Sequence, residues 1–151
     1  HAQNMHVGGT KGSISGNFAM ENARLLIVIG SRAVCQSDCS GIGYPKVEKV
    51  ININADLDDV QHYNDTLALC GDIGAVLDRL IRRLDGQLGS DTPARQAWLA
   101  GCAAAKKRWS AFKQERYASP ALHDDVWQKK VMTQPVAIKA ACDISVSTRP
   151  I

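Results

Sequence analysis

The residues of this chain that could do chemistry sit where its apolar runs end. Leu25-Leu-Ile-Val-Ile29 closes in Gly30-Ser31-Arg32, Val50-Ile-Asn-Ile-Asn54 in Ala55-Asp56, and Leu67-Ala-Leu-Cys70 in Gly71-Asp72-Ile73. An arginine can grip phosphate in a fork geometry. Small residues let the backbone approach a ligand closely, and polar strand ends can bond sugar hydroxyls. Uninterrupted β-branched runs read as strands buried on both faces, the mark of a parallel sheet covered by helices. Ligands of such sheets bind beyond the carboxyl ends of the strands. A site within Glu21–Ile73 is therefore expected at these three ends.

A second candidate is the glycine-rich stretch Met5-His-Val-Gly-Gly-Thr-Lys-Gly-Ser-Ile-Ser-Gly16, which leads into a helix. Free N–H groups at a helix start can receive an anion. These glycines follow no visible strand, so the pattern is neither a phosphate-binding P-loop nor the dinucleotide fingerprint, and a tight turn is the preferred reading. No catalytic constellation is visible. His1, His6, His62 and His123 are scattered, and each reads as a surface or loop histidine. Asp56, Asp58 and Asp59 crowd an expected helix start, where carboxylates favour the macrodipole, so capping is preferred over metal binding. Cys35-Gln-Ser-Asp-Cys39 has no second pair and no nearby His, so free loop thiols are expected, ahead of a local disulfide or redox pair and of zinc.

The elements that must position these residues can be read in order. Ser13 or Ser15 caps a helix ending near Asn22, with Ile14 and Phe18 as an i, i+4 apolar pair. The first strand starts at Arg24 or Leu25, and a long loop over residues 31–46 follows. Strands Lys49–Asn54 and Leu67–Cys70 come next, separated by a short helical piece that starts at Ala55 and runs through Tyr63. Asp72 caps a helix with Ile73, Val76, Leu77, Leu80, Ile81 and Leu84 on one face, stopped at Gly86. After a linker at 86–91, Thr92-Pro93 opens a helix to about Tyr117. Trp98, Cys102, Ala105, Trp109 and Phe112 form a narrow apolar seam along it. His123–Trp127 is expected to be polar with one anchor, Trp127, and Pro135–Ile144 a last helix.

With 151 residues and 45% hydrophobic content, the chain can bury a core of domain size. The net charge is +3. The one local basic excess, Lys106-Lys107-Arg108 with Lys113 and Arg116, reads as the solvated face of a helix rather than a nucleic-acid patch. No apolar run approaches the ~20 residues that span a bilayer. Five widely spread cysteines argue against a disulfide framework and for a reducing, cytoplasmic setting. The chain opens at His1 without an initiator Met and closes at Pro150-Ile151 just after an apolar segment, so a piece of a longer protein is expected.

The order of the pieces carries a resemblance. His1-Ala-Gln-Asn-Met-His-Val-Gly-Gly is followed by Gly16-Asn-Phe-Ala-Met-Glu-Asn-Ala-Arg-Leu-Leu-Ile-Val-Ile-Gly-Ser-Arg. Then come Val50-Ile-Asn-Ile-Asn-Ala-Asp and Cys70-Gly-Asp-Ile-Gly-Ala-Val-Leu-Asp-Arg-Leu. Together they resemble the middle domain of thiamine-diphosphate-dependent enzymes, closest to the trihydroxycyclohexanedione hydrolase and acetolactate synthase-like branch. The resemblance covers roughly residues 1–85. It implies an α/β fold, a Rossmann-like three-layer parallel sheet flanked by helices. Residues 1–85 would be the second half of that middle domain. Residues 86–151 would be a linker and helical extension toward a cofactor-binding domain.

The same resemblance implies a parent enzyme acting on carbon–carbon bonds of 2-oxo acids or cyclic diketones with thiamine diphosphate and magnesium. The sites for both are expected outside this chain, since Gly71-Asp72-Ile73 has no Asn-Asn after it. Some relatives hold FAD or ADP in the middle domain. The matching positions are Gly8, Gly9, Ser31, Arg32, Asn52, Asn54, Ala55, Asp72 and Ile73. Asn stands at 52 and 54 where many relatives carry Asp. A structural domain with an idle nucleotide pocket is the preferred expectation, and a stand-alone nucleotide-binding module is the alternative. Expected partners are the remaining domains of the parent and further copies of the chain, with no nucleic acid and no membrane.

Overall fold

The computed structural model describes residues 3–33, 42–87, 89 and 91–147. The expectations placed on Cys35, Cys39 and most of the loop after the first strand lie outside the described residues. The chain divides into two compact units, His1–Lys106 and Lys107–Ile151, and the division falls inside a long helix, beyond the linker at 86–91.

The first unit opens with α1 (Ile14–Asn22), capped by Ser13, whose side chain accepts from the Gly16 N–H. Three strands follow: β1 (Leu25–Ile29), β2 (Lys49–Asn54) and β3 (Thr66–Cys70). They form one parallel sheet in the order β1-β2-β3, with Ile27 beside Ile51 and Ile51 beside Leu67. The sheet is thus α/β and parallel, compatible with a Rossmann-like fold. The expected helical piece after Ala55 is absent; residues 55–60 are turns and bends. Asn54 Oδ1 accepts from the Asp56 N–H (3.1 Å) and Asp56 Oδ1 from the Asp58 N–H (2.9 Å). These side chains offer the backbone local partners that compete with a helix.

The period of two along the strands sorts the two faces. Leu26 and Val28 share a face with Val50 and Asn52, and there Val28, Ala33 and Val50 form a buried cluster under Tyr44 and Val47. On the opposite face Ile53 is fully buried, but Leu25, Ile27, Ile29 and Leu67 are each about half exposed. Helix α2 (Ile73–Leu84) accompanies the sheet, with Asp72 Oδ1 accepting from the Ala75 N–H (2.9 Å) and Gly86 at φ +72° past its end. Its Ile81 and Leu84 also remain largely open. Helix α3 (Pro93–Ala118) starts where Thr92 Oγ1 accepts from the Arg95 N–H (3.2 Å). Its Trp98 stacks on Phe18 at 6.0 Å, and Ala105 of the seam is buried.

In the second unit, β4 (Ala121–Asp124) and β5 (Lys129–Met132) pair antiparallel, and α4 (Gln134–Ser147) follows. The polar stretch His123–Trp127 ends β4 and forms the turn of this hairpin, which the sequence did not announce. Asp124 Oδ1 accepts from the N–H groups of Val126 and Trp127 (3.0 and 2.8 Å), and Gln128 takes a positive φ of 51° to close the turn. Trp127 is not a buried anchor, being 67% exposed with Lys129 over its ring. The basic residues of α3 also have a local explanation: Lys113 lies over Trp109 and Arg116 over Phe112, the latter at 4.9 Å. Among the described residues, no helix is long and apolar enough to cross a membrane.

Candidate functional site

The parallel register brings the three polar strand ends to one edge of the sheet. Gly30 N donates to Ile53 O (2.9 Å) and Gly71 N to Asn54 O (3.0 Å), so pairing continues one residue past β1 and β3. Gly30, Asn54 and Gly71 therefore stand side by side, and Ser31-Arg32, Ala55-Asp56 and Asp72-Ile73 extend from them as a shelf. Gly30 is favoured chiefly by its backbone conformation, since the tip of Ile73 can yield. Its φ is +61°, and a Cβ there would come 2.9 Å from Ile73 Cδ1.

On this shelf Arg32 is the group best able to meet an anion. Its Nε lies 3.6 Å from Asp59 Oδ1, and its side chain is 62% exposed. An exposed pair of this kind contributes about 0–1 kcal/mol, so an incoming phosphate could compete for the guanidinium. The remaining shelf groups already have internal duties. Ser31 Oγ accepts from the Ala33 N–H (3.2 Å) and Asn54 Oδ1 holds the turn. Ala55 O accepts a weak bond from Cys70 Sγ (3.7 Å), and Asp72 caps α2.

Asn52 belongs to the core rather than to the shelf. It is fully buried, its Nδ2 donates to Asp59 O (3.0 Å), and its Oδ1 has no partner. It braces the turn that carries Asp59, and through Asp59 it positions Arg32. Neither Asp59 nor His62 stood out in the sequence as a shelf residue. His62 Nε2 lies 3.3 Å from Ala33 O, and its ring packs on Tyr63 with centroids 4.0 Å apart. A histidine eight residues past a strand gives no signal of such a role.

Gly8 and Gly9 lie apart from the shelf residues in their bonding, in the loop before α1. Gly9 N donates to Asn17 Oδ1 (2.7 Å), Gly12 N to Gly9 O (2.8 Å) and Ser13 N to Val7 O (2.6 Å). The loop is stitched further by Ser15 Oγ, which donates to Met5 O (2.8 Å), and by His6 Nδ1 at 3.0 Å from that hydroxyl. These N–H groups are turned inward onto the protein, so the loop is a tight turn rather than an anion cradle. Its glycines permit close packing: a Cβ on Gly16 would stand 2.1 Å from Val7 O.

Among the described residues no group of three or more His, Cys, Asp or Glu side chains converges, and Asp72 is committed to the α2 cap. Compared with models of protein families and with curated protein sequences, the chain has no significant match.

Proposed function

We propose that residues 1–85 of this chain are the second half of the Rossmann-like central domain of a thiamine-diphosphate-dependent enzyme of the acetolactate synthase-like or trihydroxycyclohexanedione hydrolase branch, and residues 86–151 a linker and helical extension. The chain's role there is structural: it joins domains and supports assembly, and catalysis on 2-oxo acids or cyclic diketones belongs to the parent. The observation that carries the reading is the succession α1-β1-β2-β3-α2 in a parallel sheet, in the order in which the sequence motifs resemble that domain. The half-exposed Leu25, Ile27 and Ile29 support it, since a parallel sheet is stable with both faces covered. The rest of the parent, or another copy of the chain, supplies that cover.

Exposed Arg32 on a shelf of small residues favours a second reading, a nucleotide-binding module for ADP or the ADP part of FAD. Two titrations separate these. Calorimetry with thiamine diphosphate and magnesium is expected to show no binding to this chain, and tight binding would overturn the assignment of those sites to other domains. Thermal shift with ADP and FAD is expected to show none under the structural reading. A shift that Arg32→Ala abolishes would establish the nucleotide reading instead.

A further inference from the structure

A second surface, distinct from the strand-end shelf, has the makings of a peptide-docking groove. The outer side of β3 pairs with no strand among the described residues. Val50 N donates to Asp65 O (2.8 Å) and Gly71 N to Asn54 O (3.0 Å), so the odd-numbered residues of this stretch turn their backbone toward β2. The alternation leaves the N–H and C=O groups of Thr66, Ala68 and Cys70 facing outward. Beside that edge opens a groove of about 710 Å³, lined by Ala68, Leu69 and Cys70 on the strand and by Val76, Arg79, Leu80 and Arg83 on α2. The helix residues follow i, i+3, i+4, i+7 spacing and so form one face.

The two arginines decide what fits. The Arg82 side chain is bonded to Asp78, whereas the side chains of Arg79 and Arg83 make no ion pair or hydrogen bond with the described residues. They stand one helical turn apart, a rise of about 6 Å. Alternate side chains of an extended strand repeat at about 6.8 Å. We propose that this groove takes an extended acidic peptide, which adds as a strand to the outer edge of β3 and sets carboxylates from alternate positions on Arg79 and Arg83. Backbone bonds to Ala68 and Cys70 supply affinity, and the guanidiniums supply selection for acid. A second copy of β3 is a poor occupant, because two-fold pairing would set the arginines of one copy against those of the other.

Fluorescence anisotropy on the full chain at low salt tests this, using a labelled octapeptide of alternating Glu and Thr and its Lys-for-Glu twin. The Glu peptide is expected to bind and the Lys twin to fail. Ala68→Pro removes an outward N–H without touching the ladder to β2, and the pair Arg79→Ala, Arg83→Ala removes the charges. Each is expected to weaken the Glu peptide by about tenfold or more while the melting curve is retained. The pair Arg79→Glu, Arg83→Glu should transfer binding to the Lys twin, which guards against loss through misfolding. The proposal is overturned by no binding of the Glu peptide, by equal binding of the twin, or by variants that bind unchanged. A dimer that Ala68→Pro dissociates would also overturn it, by showing that β3 pairs with another copy.

Discussion

The sharpest test of how the shelf is built is Asn52→Val. The wild-type amide is fully buried in the central strand, with one bond made by Nδ2 and none by Oδ1. Valine has similar bulk, favours a strand and carries no polar atom. Removing Nδ2 forfeits a bond worth about 0.5–1.5 kcal/mol, and removing the unpartnered Oδ1 relieves a desolvation penalty of about 1–3 kcal/mol. The Asp59 residue that owns the abandoned carbonyl is only half-buried, so water can replace the lost donor. The net change in unfolding free energy is therefore expected between about 0.5 kcal/mol of loss and about 2.5 kcal/mol of stabilisation. The neighbouring Ile53→Ala, at a fully buried position, should lose about 2–5 kcal/mol and serves as the internal standard. Urea denaturation followed by circular dichroism reads both variants on one scale. A loss for Asn52→Val comparable to that of Ile53→Ala would refute the reasoning, because it would mean that Oδ1 holds a strong partner in solution.

Three further outcomes follow from the packing. Gly16→Ala should destabilise the loop by about 1–3 kcal/mol or more, since its Cβ would meet the Val7 carbonyl. Gly101→Ala should cost less, because the tip of Phe18 can yield; paired thermal melts decide. Burial pushes the Cys102 thiol above its ordinary pKa, so at pH 8 iodoacetamide should modify exposed Cys70 and Cys142 first, as peptide mass spectrometry would show; equal rates would count against its burial. Ile27→Asp places a charge on the half-exposed sheet face, and should shift sedimentation toward monomer while leaving the melt within a few degrees; unchanged association would mean that another surface holds copies together.

What the sequence revealed, and what it hid, follows from how local each signal is. Strand β2 was legible to the residue, because Val50, Ile51 and Ile53 form a β-branched run between Lys49 and the turn-forming Asn54. Helices α2 and α3 declared their starts through Asp72 and through Thr92-Pro93, whose caps are local side-chain bonds. The β4-β5 hairpin was hidden. Ala121-Leu-His-Asp and Lys129-Lys-Val-Met show no clean alternation, and the positive φ falls on Gln128 rather than on a glycine. The turns after Ala55 were misread because the same Asp residues that cap helices also build Asx turns.

At the candidate site, register made the shelf predictable: three polar strand ends in a parallel sheet must share one edge. Burial was not predictable. Asn52 and Asn54 read alike in sequence, yet the one lies in the core bracing Asp59 and the other holds a surface turn. The tight turn expected of the Gly8-Gly9 loop was legible in its glycines, but the amides that close it, bonded to Asn17 and Val7, were not.

The most direct measurement of the central claim is to read the gene beyond the codon for Ile151. The proposal of a thiamine-diphosphate enzyme's central domain predicts a downstream domain with a Gly-Asp-Gly segment followed by an Asn pair, the elements that bind metal and diphosphate. A stop codon directly after Ile151, or a continuation without that segment, would contradict it.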